Sequence, residues 1–374
     1  MNNIPSDELV CALAANQLQQ ISLTQKKILL DHFHSFQKIF LAKKDNLLEI
    51  PNLDSTTMGH LLRFSNFDRA YAEFKKIEAE KIEVLTYLDS KYPQSLREIY
   101  DPPPLLYALG DTRLLGTISL AVVGSRKASF YGLSSTSHLV KNLSHEGLTI
   151  VSGGARGIDT QAHKTTLENK GKTIVVLGCG LDVAYPEENK NLFQEVAKEG
   201  CLISEFSLGT APFQFNFPQR NRIISGLSHG VLVVEAAKRS GSLITARFAL
   251  EQGKDVFAVP GSILSSHYEG TNQLIQDGAI LTQQASDILW HLGIDKKKES
   301  SYTENTLFPR ETFSEEERKV FNVLSHEIQT ADEIERVTNM SLQTIQESLT
   351  HMQLEGYIKE VAGKRFVRNE EVAR

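Results

Sequence analysis

Hydrophobic positions are spaced in three ways along the chain, and each spacing predicts a different kind of element. Over residues 1–80, Leu9, Leu13, Leu18 and Ile21, then Ile28, Leu29, Phe33, Phe36, Ile39 and Phe40, recur largely at intervals of three and four, the period of helices with one apolar face. Over residues 81–295 the pattern changes to short β-branched runs: Ile118–Val123, Leu148–Val151, Thr173–Leu177, Val231–Val234 and Asp255–Val259. Between them lie helical stretches at Tyr131–His145, Ile158–Asn169, Glu187–Lys198 and Leu243–Gln252. Strands that are apolar on both faces and separated by helices predict a Rossmann-like, doubly wound, mostly parallel α/β sheet. Residues 296–312 lose all periodicity and read as a linker. Residues 313–374 then predict helices over 314–326, 331–338 and 342–354, a stop at Gly356, and a hairpin of Tyr357–Val361 with Arg365–Val367. Three helices and a hairpin outline a winged helix.

Composition narrows the class. A length of 374 residues with 41% hydrophobic and 23% charged residues describes an ordinary globular chain of two or three domains. No apolar run approaches the ~18 residues of a membrane span, and the first twenty residues hold Asp7 and Glu8 without a basic n-region, so neither a membrane anchor nor a signal peptide is expected. Cys11, Cys179 and Cys201 form no C-x-x-C pair, which suits a reducing cytoplasm and argues against structural zinc. The net charge of −6 excludes a protein that grips nucleic acid by bulk charge, so any such function must come from a local patch.

Two glycine-rich turns follow strands, where open α/β sheets bind ligands. The first is Gly124-Ser125-Arg126. The second, Ser152-Gly153-Gly154-Ala155-Arg156-Gly157-Ile158-Asp159, opens a helix. Glycine lets backbone approach a phosphate, a helix N-terminus offers unpaired N–H groups, and Arg126 or Arg156 adds charge. Tight βα turns need glycine in any case, but two such turns, each with an arginine, favour phosphate binding. Gly178-Cys179-Gly180-Leu181-Asp182-Val183 departs from G-x-G-x-x-G at Val183, so no dinucleotide cofactor is expected. The histidines His138, His163, His229 and His267 are scattered, so neither a metal site nor a catalytic arrangement is expected. Glu235, ahead of Ser240-Gly241-Ser242, reads as a carboxylate that orders a turn or pairs an arginine.

The segment Phe213-Gln214-Phe215-Asn216-Phe217-Pro218-Gln219-Arg220-Asn221-Arg222 interleaves aromatics with amides and then brings two arginines to the mouth of a helix. Aromatic faces stack single-stranded bases while arginines hold the backbone. Phe213 and Phe215 are expected in the core. Phe217, Arg220 and Arg222 are expected at a ligand, against the alternative that the arginines pair with carboxylates such as Glu235. The hairpin at Leu47–Asp54 resembles a helix-hairpin-helix phosphate binder, but Asn52 and Asp54 replace its glycine pair, so packing or partner contact is favoured there.

Gly124-Ser125-Arg126, Ser152–Asp159, Phe217–Arg222 with Ile223-Ile224-Ser225-Gly226-Leu227-Ser228, the turn Ser240–Ala246, and Val256–Gly261, in that order through about residues 80–290, resemble the DNA-processing protein A family, also called DprA or Smf. The flanking segments fit its helical N-terminal module and winged-helix C-terminus. The resemblance implies a cytoplasmic, dimeric, non-enzymatic protein of natural transformation (competence). Such a protein binds single-stranded DNA, loads the recombinase RecA onto it and displaces or bypasses single-strand binding protein. By position it implies phosphate contact at Ser125 and Arg126 and backbone N–H groups from Gly153 and Gly154. It further implies a base stacked on Phe217 with Arg220, Asn221 and Arg222 around it. With Gly124, Arg156, Gln214, Ser240, Gly241 and Ser242 these make up the expected DNA site. The family often carries a basic residue where this chain has Gln214, which implies weaker affinity or salt dependence. Two other classes stay open: a nucleoside-monophosphate phosphoribohydrolase, although its P-G-G-x-G-T-x-x-E signature is missing, and a nucleotide-sensing adaptor without DNA affinity.

The winged-helix segment is not expected to read duplex DNA. Its recognition-helix position, Ser341–Leu354, carries Glu347 and no lysine or arginine; Gln343 and Gln346 could reach bases, but nothing beside them neutralises phosphate. The basic residues Lys364, Arg365 and Arg368 sit in the hairpin of a segment whose net charge is −4.

Overall fold

The structure, a computed structural model, describes residues 4–294, 313–324, 329–361 and 363–368. The chain divides into two compact units, residues 1–296 and 297–374. The linker expected over 296–312 lies outside the described residues, as do the last two residues of the helix expected over 314–326.

The N-terminal helices are Glu8–Gln17, Leu23–Phe33, Phe36–Leu41, Lys44–Leu48, Ser55–Arg63 and Asp68–Glu80. The first is apolar all round, with Val10, Cys11, Ala12, Leu13 and Ala14 buried, so it runs through the middle of the group. Asp7 caps it by accepting from Leu9 N and Val10 N, and Glu8 accepts from the Phe36 and Gln37 N–H groups at the start of the third helix. In the hairpin region Leu47 and Ile50 are buried, and Asp54 is the N-cap of the following helix, which accounts for both without a phosphate.

The sheet of the first unit has nine strands: β1 Glu83–Thr86, β2 Leu105–Gly110, β3 Ser119–Val123, β4 Thr149–Ser152, β5 Thr173–Val176, β6 Cys201–Ser204, β7 Gly230–Val233, β8 Asp255–Ala258 and β9 Ile280–Leu281. Their order is β1-β2-β6-β5-β4-β3-β7-β8-β9. All pairs from β6 to β9 are parallel, while β2 joins β6, and β1 joins β2, antiparallel. Every residue of β3, β4, β5, β6 and β7 is buried, as expected of central parallel strands covered on both faces. From β3 the chain builds outward through β4, β5 and β6 on one side, then returns to place β7 on the other. The order therefore reverses between β3 and β7, the switch point at which α/β sheets open a crevice.

The N-terminal helices and the sheet share one continuous core. Buried polar groups fix their registration: the Tyr107 hydroxyl, on β2, donates to Glu73 at 2.9 Å, Leu208 N donates to the same oxygen at 2.8 Å, and Gln17 Nε2 donates to the other at 2.8 Å. Lys26 Nζ is also buried and donates to the Asn16 carbonyl at 3.2 Å.

In the second unit Glu315–Val323, Ala331–Thr338 and Leu342–Leu354 pack around Val320, Phe321, Ile334, Ile345, Leu349 and Met352. Ser314 with Glu317 and Thr330 with Glu333 form capping boxes at the first two helices. The strands β10 Gln329–Thr330, β11 Ile358–Val361 and β12 Arg365–Arg368 form an antiparallel sheet in the order β10-β12-β11. The Arg368 guanidinium lies 4.5 Å from the Phe321 ring centroid and donates to the Phe321 carbonyl, so this cation is spent on the unit's own core. Among the described residues of both units, no helix is long and apolar enough to cross a membrane.

Burial pushes the Lys26 ammonium down to about 8, against an opposing pull from Glu205. The unfolded chain therefore holds this proton up to about pH 10.4 while the folded chain releases it near 8, and stability gained by deprotonation rises with pH across that window. Lys26→Met should be more stable than wild type at pH 7 by about 1–3 kcal/mol. Its margin should shrink between pH 8 and about 10.4, read from urea unfolding of both proteins across pH.

Candidate nucleic-acid interface

The two glycine turns interlock at the C-terminal edge of the sheet. Gly157 has φ +74°, and a Cβ on it would lie 2.2 Å from the Ser125 carbonyl oxygen, so only glycine lets the second turn close against the first. That carbonyl also accepts from Ile158 N at 3.2 Å, and Lys127 N donates to Ser125 Oγ at 3.1 Å. The result is a rigid lip with Arg126 and Lys127 exposed on its rim.

Beneath the lip lies Arg220, which is 4% exposed. One guanidinium nitrogen donates to the Gly153 carbonyl at 2.7 Å and to the Val176 carbonyl at the end of β5. A Cβ on Gly153 would meet this group at 2.6 Å, so glycine at 153 is demanded by the guanidinium packed against it. Asp159 supplies the nearby counter-charge while accepting from Gly153 N at 3.2 Å and Ala155 N at 3.3 Å. Burial raises the Asp159 carboxyl above the ordinary carboxylate range, with Arg220 pulling the other way, and burial lowers Arg220 to about 10. His163, buried in the same region, is pushed down to about 3 by burial and then by Arg220, so it stays neutral at physiological pH.

Beside the lip stands Phe217, half-buried, in the first turn of the helix Asn216–Leu227. Its ring lies against Gly178, where a Cβ would approach to 2.8 Å. The Arg126 guanidinium sits 5.4 Å from its centroid and the Tyr185 ring 5.4 Å away, tilted by 35°. Asn216 is buried and donates to the Gly178 carbonyl at 3.1 Å, anchoring the start of the helix to the loop after β5. Asn221, half-buried, donates to the Gly241 carbonyl at 3.4 Å, and Ser240 Oγ and Ser242 Oγ are 2.7 Å apart, which ties the turn after β7 to the same edge. Arg156 and Gln214 are both exposed, and Arg156 is held by Glu188 through two bonds of 2.7 Å.

Several expectations change. Arg220 and Arg222 were expected around a bound base, but both side chains turn inward. Arg222, 1% exposed, makes a bidentate pair with Glu205 at 3.0 and 2.7 Å, and its Nε lies 3.1 Å from Asp101. The carboxylate alternative held in kind but not in identity, because Glu235 pairs with neither arginine. Glu235 is fully buried and accepts from Ser129 N, Ser129 Oγ at 2.5 Å, and Tyr268 OH at 3.0 Å, with His267 Nδ1 at 3.1 Å. It orders the N-cap of the helix Phe130–His145. Gly153 was expected to offer its N–H to a ligand, yet Asp159 takes it. Phe213 and Phe215, expected in the core, are 52% and 70% exposed. The sequence reading missed Tyr185 and Gly178; an aromatic before Pro186 in a loop leaving a central strand was the available signal.

Comparison with known proteins identifies the family. Residues 83–293 match the family model of DNA recombination-mediator protein A, and residues 307–364 match the DprA winged helix domain. DNA processing protein DprA of Streptococcus pneumoniae is 49% identical over 212 residues, covering 57% of this chain and 75% of that one. Protein Smf of Synechocystis is 32% identical over 388 residues, covering 95% and 98%. The X-ray structure of the S. pneumoniae protein superposes with a TM-score of 0.65 at 38% identity, over 75% of this chain and 95% of that one. DNA processing protein A of Helicobacter pylori, solved in a study of its single-stranded DNA binding mode, superposes at 0.52 and 33% identity over 57% and 95%. With the Rossmann-like sheet, the interlocked glycine turns and the family match spanning both, the chain belongs to the DNA recombination-mediator protein A (DprA/Smf) family.

Proposed function

We propose that this protein binds single-stranded DNA at the C-terminal edge of its sheet and acts there as a recombination mediator, delivering RecA to DNA taken up in natural transformation. The observation that carries the reading is Phe217. Its ring is held half-exposed between Gly178, Tyr185 and the Arg126 guanidinium, which puts a stacking face and a phosphate-seeking cation within one nucleotide of each other. Arg126 and Lys127 stand on the rim of an otherwise acidic protein, so a phosphate would meet local positive charge where bulk charge repels it. The related H. pylori protein, described by its single-stranded DNA binding mode, supports the same ligand. Family membership supports the further parts of the proposal: a homodimer, transfer to RecA, and competition with single-strand binding protein.

A hydrolytic reading finds less support. Glu235, the carboxylate it would use as a base, already accepts from Ser129 and Tyr268 and so holds the N-cap residue of a helix. In the second unit, Gln343 donates to Glu347 along the recognition helix, and Arg368 is committed to Phe321. That face therefore favours contact with protein over contact with duplex DNA.

Titrating labelled single- and double-stranded oligonucleotides tests the proposal directly; equal affinity for both, or none, would overturn it. Arg126→Ala should weaken binding at every sequence and reduce the slope of log K against log salt by about 0.7, the value for one phosphate on a single strand. Phe217→Ala should cost about 1–3 kcal/mol of affinity per folded molecule. A variant that melts early yet binds normally once corrected for its folded fraction would make Phe217 a packing residue only. Removing residues 313–374 should leave single-stranded affinity within about tenfold, near 1.4 kcal/mol, in the same titration.

A further inference from the structure

Phe213 and Phe215 are the anomaly of this molecule. Two phenyl rings stand in solvent four and two residues before Phe217, with centroids 5.5 Å apart and planes only 5° from parallel. Their backbone is well held. Phe213 N donates to Ala211 O at 2.9 Å, Asn216 N donates to Phe213 O at 3.0 Å, and the buried Asn216 side chain bonds both Gly178 O and Ala211 O. Behind them Gly180 N donates to Thr210 O at 3.0 Å. Exposed aromatic surface on a braced turn is not the product of a loose loop. It is unfavourable in water unless something covers it.

We infer that Phe213 and Phe215 form a second base-stacking platform, which carries single-stranded DNA onward from the Phe217–Arg126 site along the loop before the helix Asn216–Leu227. This rests on the single-stranded DNA reading above and extends it to residues outside the family-like motif. Three features of the turn favour nucleobases over a protein surface. Parallel rings leave outward faces for further planar groups to continue the stack, as bases do on aromatic side chains. The exposed Gln214 between them offers both a donor and an acceptor to a base edge or phosphate at the position where family members often place a charge. Two isolated rings are also far smaller than the roughly 800 Å² per partner that a stable protein interface needs, yet each matches the face of one base. The platform would compensate for Gln214: stacking replaces the affinity that a lysine or arginine would draw from phosphate, and does so without salt dependence.

The test uses the full-length protein. In Phe215→Trp, binding of an oligothymidylate of about 20 nucleotides should quench the new tryptophan well beyond the change seen for Trp290 in wild type, because a stacked base quenches indole. Phe213→Ala/Phe215→Ala should bind that oligonucleotide about tenfold more weakly, with an unchanged melting midpoint because the rings are exposed, and with an unchanged slope of log K against log salt because no phosphate contact is lost. Wild-type affinity in the double variant together with unquenched Phe215→Trp would overturn the platform. If that happens while Phe217→Ala still loses affinity, the single-stranded DNA reading survives alone. If wild type binds no oligonucleotide, both fall. A double variant that binds DNA normally but loses self-association or RecA contact would reassign the rings to a protein partner and overturn the inference.

Discussion

The geometry of the candidate site depends on one buried cation. Arg220 joins the carbonyl that leaves β4 to the one that ends β5, with Asp159 in range to balance its charge. An arginine can do this because its planar head offers several donors in fixed directions and stays protonated even when burial lowers it to about 10. A charge buried this deeply is costly unless nearly every donor finds an acceptor, so the surrounding backbone has little freedom to move. Asp159 completes the lock by accepting from Gly153 N and Ala155 N, which leaves the second glycine turn with one conformation. The first turn then has to fit against it, and Gly157 is the point of contact.

Arg222 and Glu205 do a second job of the same kind two residues further along the helix. Their bidentate pair fastens the helix that carries Phe217 to the loop after β6, and Asp101 extends the network to the segment before β2. Asn16 Nδ2 donates to the Glu205 carbonyl at 3.1 Å, so the N-terminal helices brace the same loop. The charged residues of the Arg-Asn-Arg motif therefore work from inside the protein, holding an aromatic ring and a lip of backbone in place. The groups at the surface of this edge are others: Arg126, Lys127, Phe213, Gln214 and Phe215 are exposed, and Phe217 is half-exposed.

This division explains what could be read from the sequence and what could not. β3, β4, β5, β7 and β8 were legible because they are short runs rich in β-branched and other apolar residues, as Thr173–Val176 shows; β6, Cys201–Ser204, was missed, its one β-branched residue being Ile203. β1 and β2 were missed too, because Leu105–Gly110 has no β-branched residue and follows three prolines, and antiparallel addition at a sheet edge leaves no periodic trace. The glycine turns were legible as tight turns at the C-terminal ends of β3 and β4, since their spacing after strands has a physical cause. The inward turn of Arg220 and Arg222 was not, because an arginine that serves a phosphate and one that serves a carbonyl look alike in one dimension. Only the partners decide, and Gly153, Val176, Glu205 and Asp101 lie up to 121 residues away in sequence. The exposure of Phe213 and Phe215 was hidden for the same reason. Apolar content argued for the core, whereas the buried Asn216 between them and Phe217 is what turns the loop outward.

On the proposed reading, the site would draw little on long-range electrostatics. The protein carries a net charge of −6, so its overall field opposes a polyanion at low salt and is screened within about 8 Å at physiological ionic strength. Stacking contacts, made at about 3.5–4 Å, are not screened in that way. Affinity that rests on rings set in a rigid frame is also tolerant of sequence, since every base offers a π-face. A mediator has to hold DNA of any sequence and then let it go to another protein. On the proposed reading, stacking on a few fixed rings with only one or two phosphate contacts would give binding that neither reads sequence nor depends on releasing many counterions. Handing the strand on would then require displacing a small number of discrete contacts rather than overcoming a continuous basic groove.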